Sequence, residues 1–88
     1  MLIDISEVKN KNNIIDIRSS ISFNKFNYEG SKNIPRMILL SNPDLYLNRT
    51  EEYYILCDKG LLSKSVSNIL NSLGFNCYSI IGGIESLR

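Results

Sequence analysis

Apolar runs alternate with amphipathic stretches along the whole of this 88-residue chain. Four runs are predicted to be strands because their hydrophobic residues are nearly continuous, as in buried strands of a parallel sheet: 1–5, 13–17, 53–56 and 75–81. A fifth extended piece is predicted over 31–34, where Pro35 disfavours helical backbone in the residue before it. Strands that alternate with helical stretches indicate an α/β fold with a largely parallel sheet.

The clearest helical pattern lies between residues 63 and 73. Four apolar residues there repeat at helical spacing: Val66, Ile69, Leu70 and Leu73. Gly74 is expected to end this helix, and Ser63 is expected to cap its N-terminus. Shorter helices are predicted near 6–9, with Ser6 as the cap, and near 20–26, 43–47 and after Gly83.

Composition limits the classes of protein that this chain can represent. With 88 residues, 43% hydrophobic and 22% charged, residues 1–88 are expected to form one small globular domain that needs no partner to fold, hence a monomer. The net charge of +1 gives no electrostatic case for nucleic acid or a membrane as a partner. The N-terminus lacks the pattern of a secretory signal, and no apolar run approaches the roughly 20 residues of a membrane span. A cytoplasmic location is therefore expected.

The chain has two cysteines, Cys57 and Cys77, and no histidine. The lack of histidine excludes Ser-His and Cys-His nucleophile pairs and the histidine ligands of most catalytic zinc sites. There is no C-x-x-C motif, so neither a metal nor another cofactor is expected. A disulfide is not expected in a cytoplasmic chain with an ordinary core. Cys77 lies inside a strand pattern and is predicted to be a core residue.

Cys57 is the best candidate for chemistry because it follows a predicted strand and precedes a predicted helix. Gly60 comes three residues after it, as in a tight strand-to-helix turn. Backbone N–H groups and the helix N-terminus at such a turn favour an anion, and the thiolate is the nucleophilic form of cysteine. Cys57 is therefore the predicted nucleophile.

Several short motifs follow one another in a fixed order along the chain. They are Ile15-Asp16-Ile17-Arg18, the segment 28–35 (Tyr-Glu-Gly-Ser-Lys-Asn-Ile-Pro), Cys57-x-x-Gly60, Leu73-Gly74-Phe75 and Gly82-Gly83-Ile84. Their order and content resemble the single-domain rhodanese (sulfurtransferase) family. The first resembles the L-I-D-V-R strand of that family. The second resembles its G-H-I-x-G-A-x-x-I-P segment in a contracted form without the histidine. The others resemble its active loop, the helix after it and its closing G-G-[IV] motif.

The resemblance implies an α/β fold with a rhodanese-like small parallel β-sheet flanked by α-helices on both faces. It also implies a sulfurtransferase that moves sulfane sulfur through a persulfide on Cys57. The donor would be thiosulfate, a low-molecular-weight persulfide or a persulfide-carrying protein, and the acceptor a thiophile such as cyanide or a thiol.

The residues after Cys57 are expected to form the substrate-binding loop: Asp58, Lys59, Gly60, Leu61, Leu62 and Ser63. Gly60 tolerates positive φ and leaves room for a cradle of N–H groups around the sulfur. By the resemblance, Asp16 and Arg18 support this loop through hydrogen bonds; a plain structural ion pair is the alternative.

Two loop positions depart from the family pattern. Asp58 stands where the family often has arginine or another non-acidic residue, and Leu62 stands where it often has arginine or threonine. A carboxylate beside the sulfur repels an anionic donor. The hypothesis is therefore a poor thiosulfate enzyme that prefers a less anionic or protein-borne donor.

Two other functions compete with sulfur transfer. Cysteine-dependent phosphatases use C-x5-R loops, but the sixth residue after Cys57 is Ser63, so phosphatase activity is not expected. A catalytically weak or inactive rhodanese-like module that binds a partner or senses oxidants stays open, because Asp58, Leu62 and the contracted segment 29–35 are unusual for the family.

Overall fold

The computed structural model describes residues 1–88 and contains a five-stranded sheet in which every neighbouring pair is parallel. The strands are β1 (Leu2–Ile3), β2 (Ile14–Asp16), β3 (Lys32–Asn33), β4 (Glu52–Leu56) and β5 (Asn76–Ile80). Their order across the sheet is β1-β5-β4-β2-β3, which puts β4 in the centre. The predicted α/β fold with a parallel sheet is thus confirmed.

Three α-helices connect the strands: α1 (Ser20–Lys25), α2 (Arg36–Ser41) and α3 (Leu61–Ser72). Short 3₁₀ helices occupy Ile5–Glu7, Lys11–Asn13, Pro43–Leu45 and Ile84–Leu87. The sequence did not predict α2, because its central residues are apolar at consecutive positions and show no helical period. No helix is long and apolar enough to cross a membrane.

Both faces of the sheet are buried, and the side chains of β4 alternate between them. Tyr53 and Ile55 contribute to a core cluster with α2 and α3, and Cys57 continues that alternation beyond the strand. Tyr54 and Leu56 point to the opposite face, which packs against residues of the first and last 3₁₀ helices. Helical segments therefore cover both faces, as predicted, with α-helices on one and mainly 3₁₀ turns on the other.

Two predicted helix caps are wrong. Gly60, with φ of 97°, occupies the N-cap position of α3, so Ser63 lies inside the first turn and is buried. The reason is that the chain turns around the Cys57 sulfur before the helix starts, and this turn needs the left-handed backbone of glycine. At the N-terminus, Asp4 rather than Ser6 caps the 3₁₀ helix, since its carboxylate accepts the Ser6 N–H.

Candidate active site

Cys57 is the first residue after the central strand, at the carboxyl edge of the sheet. The neighbouring strand holds this end of β4 in place, because the Ile17 N–H donates to the carbonyl oxygen of Leu56 at 2.9 Å. Ligand sites in open parallel sheets lie at this edge. The topology therefore places Cys57 where the sequence predicted a site.

The Cys57 sulfur is surrounded by hydrogen-bond donors from the loop that follows it. Sγ accepts the backbone N–H of Gly60 at 3.2 Å and that of Ser63 at 3.3 Å. The Ser63 hydroxyl lies 3.3 Å from Sγ and donates to it when the sulfur is a thiolate. Donors that converge on one sulfur stabilise a thiolate, or a sulfur that gains charge during transfer.

The loop rests on the turn that follows β5. The Ile84 N–H donates to the carbonyl oxygen of Cys57 at 2.7 Å, and the Glu85 N–H donates to that of Asp58 at 3.1 Å. A Cβ on Gly83 would lie 2.5 Å from the Asp58 carbonyl oxygen, so only glycine allows this approach. The closing Gly82-Gly83-Ile84 motif therefore supports the cysteine loop through backbone contacts with Cys57 and Asp58.

The outer surface of the loop is mixed in character. Asp58 and Lys59 are exposed, and neither forms a salt bridge. Leu61 is 73% exposed and Leu62 is 50% exposed, so two apolar side chains lie on the surface of the loop. The Cys57 residue itself is only 3% exposed, so a donor has to reach the sulfur through the loop.

Asp16 and Arg18 form a buried ion pair with each other. The Arg18 guanidinium donates to both Asp16 carboxylate oxygens, with Nη2 to Oδ2 at 2.7 Å, and it also donates to the Phe26 carbonyl oxygen at 2.7 Å. The Asp16 hydrogen bond raises the pKa of Arg18, and the charges of Asp16, Asp58 and Cys57 add to this. Neither side chain hydrogen-bonds to residues 57–63, so the geometry matches the ion-pair interpretation, and Arg18 influences the loop only through its charge.

The sulfur of Cys77, unlike that of Cys57, accepts no backbone N–H hydrogen bonds. Cys77 is fully buried in the core, and this burial raises the pKa of its thiol to about 12. Both cysteines are free thiols. No group of three or more Cys, Asp or Glu side chains is arranged to hold a metal ion.

One residue that contacts the cysteine loop was not predicted from the sequence. Ser79 of β5 is 1% exposed, and its Oγ lies 2.6 Å from the Oγ of Ser63. The available signal was a hydroxyl in an otherwise apolar strand, at the position that alternation assigns to the face covered by α3.

A surface cavity of about 410 Å³ lies elsewhere, between β2, β3, β4 and the segment 44–51. None of its lining residues belongs to the loop 57–63. It is therefore separate from the cysteine site.

Comparisons with known proteins agree with this geometry. The sequence model of the rhodanese-like domain family matches residues 2–88. Among solved structures, a protein from Staphylococcus saprophyticus is 29% identical with a TM-score of 0.87, and the match covers 99% of this chain and 92% of that one. A rhodanese-like domain protein from Staphylococcus aureus is 26% identical with a TM-score of 0.86, over 100% of this chain and 92% of that one.

A larger enzyme contains a similar domain. An NAD-dependent persulfide reductase from A. fulgidus is 30% identical with a TM-score of 0.73, and the match covers 94% of this chain but only 15% of that enzyme. No curated protein matches the chain.

Proposed function

Since this chain belongs to the family of rhodanese-like domains, we propose that it is a sulfurtransferase that carries sulfane sulfur as a persulfide on Cys57. The observation that carries the proposal is that the Gly60 and Ser63 N–H groups both donate to one sulfur atom, with the Ser63 hydroxyl 3.3 Å from it. The site needs no imidazole, because a thiolate held by such donors requires no separate base.

The transfer takes two steps. The Cys57 thiolate attacks the outer sulfur of the donor, whose bond to that sulfur breaks with its electron pair leaving on the rest of the donor. An acceptor nucleophile then attacks the outer sulfur of the persulfide, and the S–S electron pair returns to Cys57 Sγ. Because a more acidic thiol gives a less nucleophilic thiolate, most of the acceleration has to come from orientation and from stabilisation of the developing charge.

We expect the donor to carry little negative charge near its outer sulfur. Lys59 is the only cationic side chain within residues 57–63. Arg18 is buried, and its charge is already paired with Asp16. Asp58 opposes Lys59, and the exposed Leu61 and Leu62 favour an apolar approach. These features support a persulfide of low charge or one carried by a protein over thiosulfate. The persulfide reductase from A. fulgidus, a structural neighbour, is named for chemistry on a persulfide.

The rival function is a rhodanese-like module that binds a partner or senses oxidants without turnover. One observation favours it: Cys57 is 3% exposed, as an inert core cysteine would be.

Intact mass spectrometry separates the two functions. The protein is incubated with thiosulfate and, separately, with a polysulfide, alongside Cys57→Ser and, as a matched cysteine control, Cys77→Ala. Sulfur transfer predicts a gain of one sulfur atom in the wild type and in Cys77→Ala, no gain in Cys57→Ser, and loss of the added mass on addition of cyanide. A wild type that gains no sulfur from either donor contradicts the proposal and favours the binding module.

A further inference from the structure

The Cys57 sulfur is the end of a short buried chain of hydrogen-bonding atoms. Cys57 Sγ lies 3.3 Å from Ser63 Oγ, and Ser63 Oγ lies 2.6 Å from Ser79 Oγ. Ser63 and Ser79 are 0% and 1% exposed, so water does not compete with these bonds. The Ser79 hydroxyl has no other hydrogen-bond partner in the structure, so the chain ends there.

The number of protons available to these three atoms shows which charge state of the sulfur the hydrogen-bond chain favours. Its three heteroatoms are joined by two links, and each link takes one proton. A thiol brings a third proton, so one proton of the thiol state has no acceptor within the chain. A thiolate leaves two protons for two links: Ser79 donates to Ser63, and Ser63 donates to the sulfur. Since a buried donor without an acceptor is costly, the chain is complete only when the sulfur is anionic.

The fold keeps Ser63 and Ser79 at a constant separation. Besides the serine contact, Asn71 near the C-terminus of α3 donates to the Cys77 carbonyl oxygen at 3.0 Å and accepts the Cys77 N–H at 2.7 Å. The helix is therefore tied to β5 at both ends. Within the chain of hydroxyls, each bond also polarises the next and strengthens it.

We propose that Ser79 is a positioning residue for the sulfur chemistry of Cys57. Its hydroxyl donates to Ser63 Oγ and thereby directs the Ser63 proton onto Cys57 Sγ, which stabilises the thiolate. The inference rests on the proposed function and adds a residue from a different strand to that site. The same hydrogen bonds act twice, because the thiolate is the nucleophile in the first step and the leaving group in the second.

The first test measures the ratio of thiolate to thiol at Cys57 at neutral pH. The readout is the ultraviolet absorbance of the thiolate, taken as the difference between each protein and the same protein with Cys57→Ser. Ser79→Ala is expected to lower this ratio about two- to tenfold, as expected for the loss of one hydrogen bond to the chain. This measurement needs no sulfur donor, so it tests the role of Ser79 even if the wild type takes up no sulfur.

Ser67 provides a matched control for the removal of a buried hydroxyl. It lies one turn after Ser63 on α3, is 0% exposed, and its Oγ has no hydrogen-bond partner. Ser67→Ala is expected to keep the wild-type ratio. Ser79→Thr keeps a hydroxyl at the site and is expected to retain a ratio near that of the wild type. The proposal is overturned if Ser79→Ala matches the wild type, if Ser67→Ala falls by the same factor, or if Ser79→Thr falls as far as Ser79→Ala.

The second test follows discharge of the persulfide in a single turnover. Each protein is loaded with polysulfide, and the loss of the added sulfur to cyanide is timed by intact mass. Ser79→Ala is expected to discharge several-fold more slowly than Ser67→Ala, because its leaving thiolate is less stabilised. Equal discharge rates for the two variants would overturn the leaving-group role. A wild type that never takes up sulfur would instead refute the proposed function, while the thiolate ratio would still decide the role of Ser79.

Discussion

The carbonyl oxygen of Cys57 accepts a hydrogen bond from the backbone N–H of Ile84 at 2.7 Å. This bond joins the end of the central strand to the turn after β5, and the Glu85 N–H makes the next such bond to Asp58. Gly83, with φ of 62°, directly precedes Ile84 and Glu85 and lies against the backbone of Cys57 and Asp58. The cysteine loop and the closing glycine turn therefore hold each other in place.

Gly83→Ala is predicted to destabilise the protein more than an ordinary substitution at a glycine of positive φ. The new Cβ would lie 2.5 Å from the Asp58 carbonyl oxygen and 2.6 Å from that of Cys57, and both are backbone atoms rather than a flexible side chain. Overpacking of this kind costs about 1–3 kcal/mol beyond the strain of the backbone angle. Urea unfolding measures the change in the free energy of unfolding.

Gly74→Ala is the matched control, since Gly74 has φ of 96° but its added Cβ would approach only the Arg49 side chain, at 3.2 Å. Gly74→Ala loses about 1–2 kcal/mol from its positive φ. Gly83→Ala loses at least as much, because φ of 62° with ψ of −165° is a backbone region that almost only glycine adopts. Equal destabilisation of the two variants would show that a side chain at position 83 is not excluded by contact with the cysteine loop.

Cys77 is predicted to make the protein less stable at alkaline pH. Burial raises the pKa of its thiol in the folded state from 9.0 to about 12. Between these values the folded protein holds the proton and the unfolded chain releases it, so unfolding releases a proton and stability falls as pH rises. The stabilisation is fully present below about pH 9, and its loss has a maximum slope of about 1.4 kcal/mol per pH unit.

The measurement is the free energy of unfolding in urea from neutral pH to about pH 11, for the wild type and Cys77→Ala. The variant is expected to be less stable at neutral pH, because it has a cavity, but to lose stability less steeply above pH 9. Tyr78, whose pKa is raised chiefly by its hydrogen bond to Glu52, contributes equally to both proteins. Parallel curves would contradict the assignment.

Asp16→Asn is predicted to be strongly destabilising. The substitution leaves the Arg18 guanidinium buried without its counter-charge, and breaking a buried pair in this way costs about 3–5 kcal/mol. The control is Asp44→Asn, which breaks the exposed pair with Arg49 and is expected to cost at most about 1 kcal/mol. Similar values for the two variants in urea unfolding would mean that water screens the Asp16–Arg18 pair.

Asp58→Asn is predicted to raise the thiosulfate kcat/KM of the proposed sulfurtransferase. Unit charges roughly 7 Å apart interact by about 0.6–2.4 kcal/mol between ε of 80 and 20, so removal of one repulsion gives at least about a threefold gain. Raising the ionic strength should narrow the difference from the wild type. Lys59→Gln should change kcat/KM in the opposite direction. An unchanged value in Asp58→Asn would refute the charge argument.

Much of the fold follows from local patterns in the sequence. The predicted strands 13–17, 53–56 and 75–81 overlap β2, β4 and β5, because continuous apolar runs are the direct signature of strands buried on both faces. Residues 63–73 carry the stripe of α3 for an equally local reason. The C-terminal end of α3 agrees with the prediction, because Leu73 is the C-cap and Gly74 follows it with φ of 96°. The start of α3 differs from the prediction, because it is decided by the turn around Cys57.

The sequence alone determined that the candidate site is a cysteine between a strand and a helix, with no histidine to assist it. That conclusion needs only the order of the strand, the thiol, Gly60 and the helix. Only the tertiary structure decided which groups surround the sulfur and hold the loop. Ser79 meets Ser63 across 16 residues of sequence, and Gly83 meets Asp58 from another strand end. Such contacts depend on the register of the parallel strands and on the position in which α3 packs against the sheet. No local pattern of hydrophobic residues encodes the register or that position.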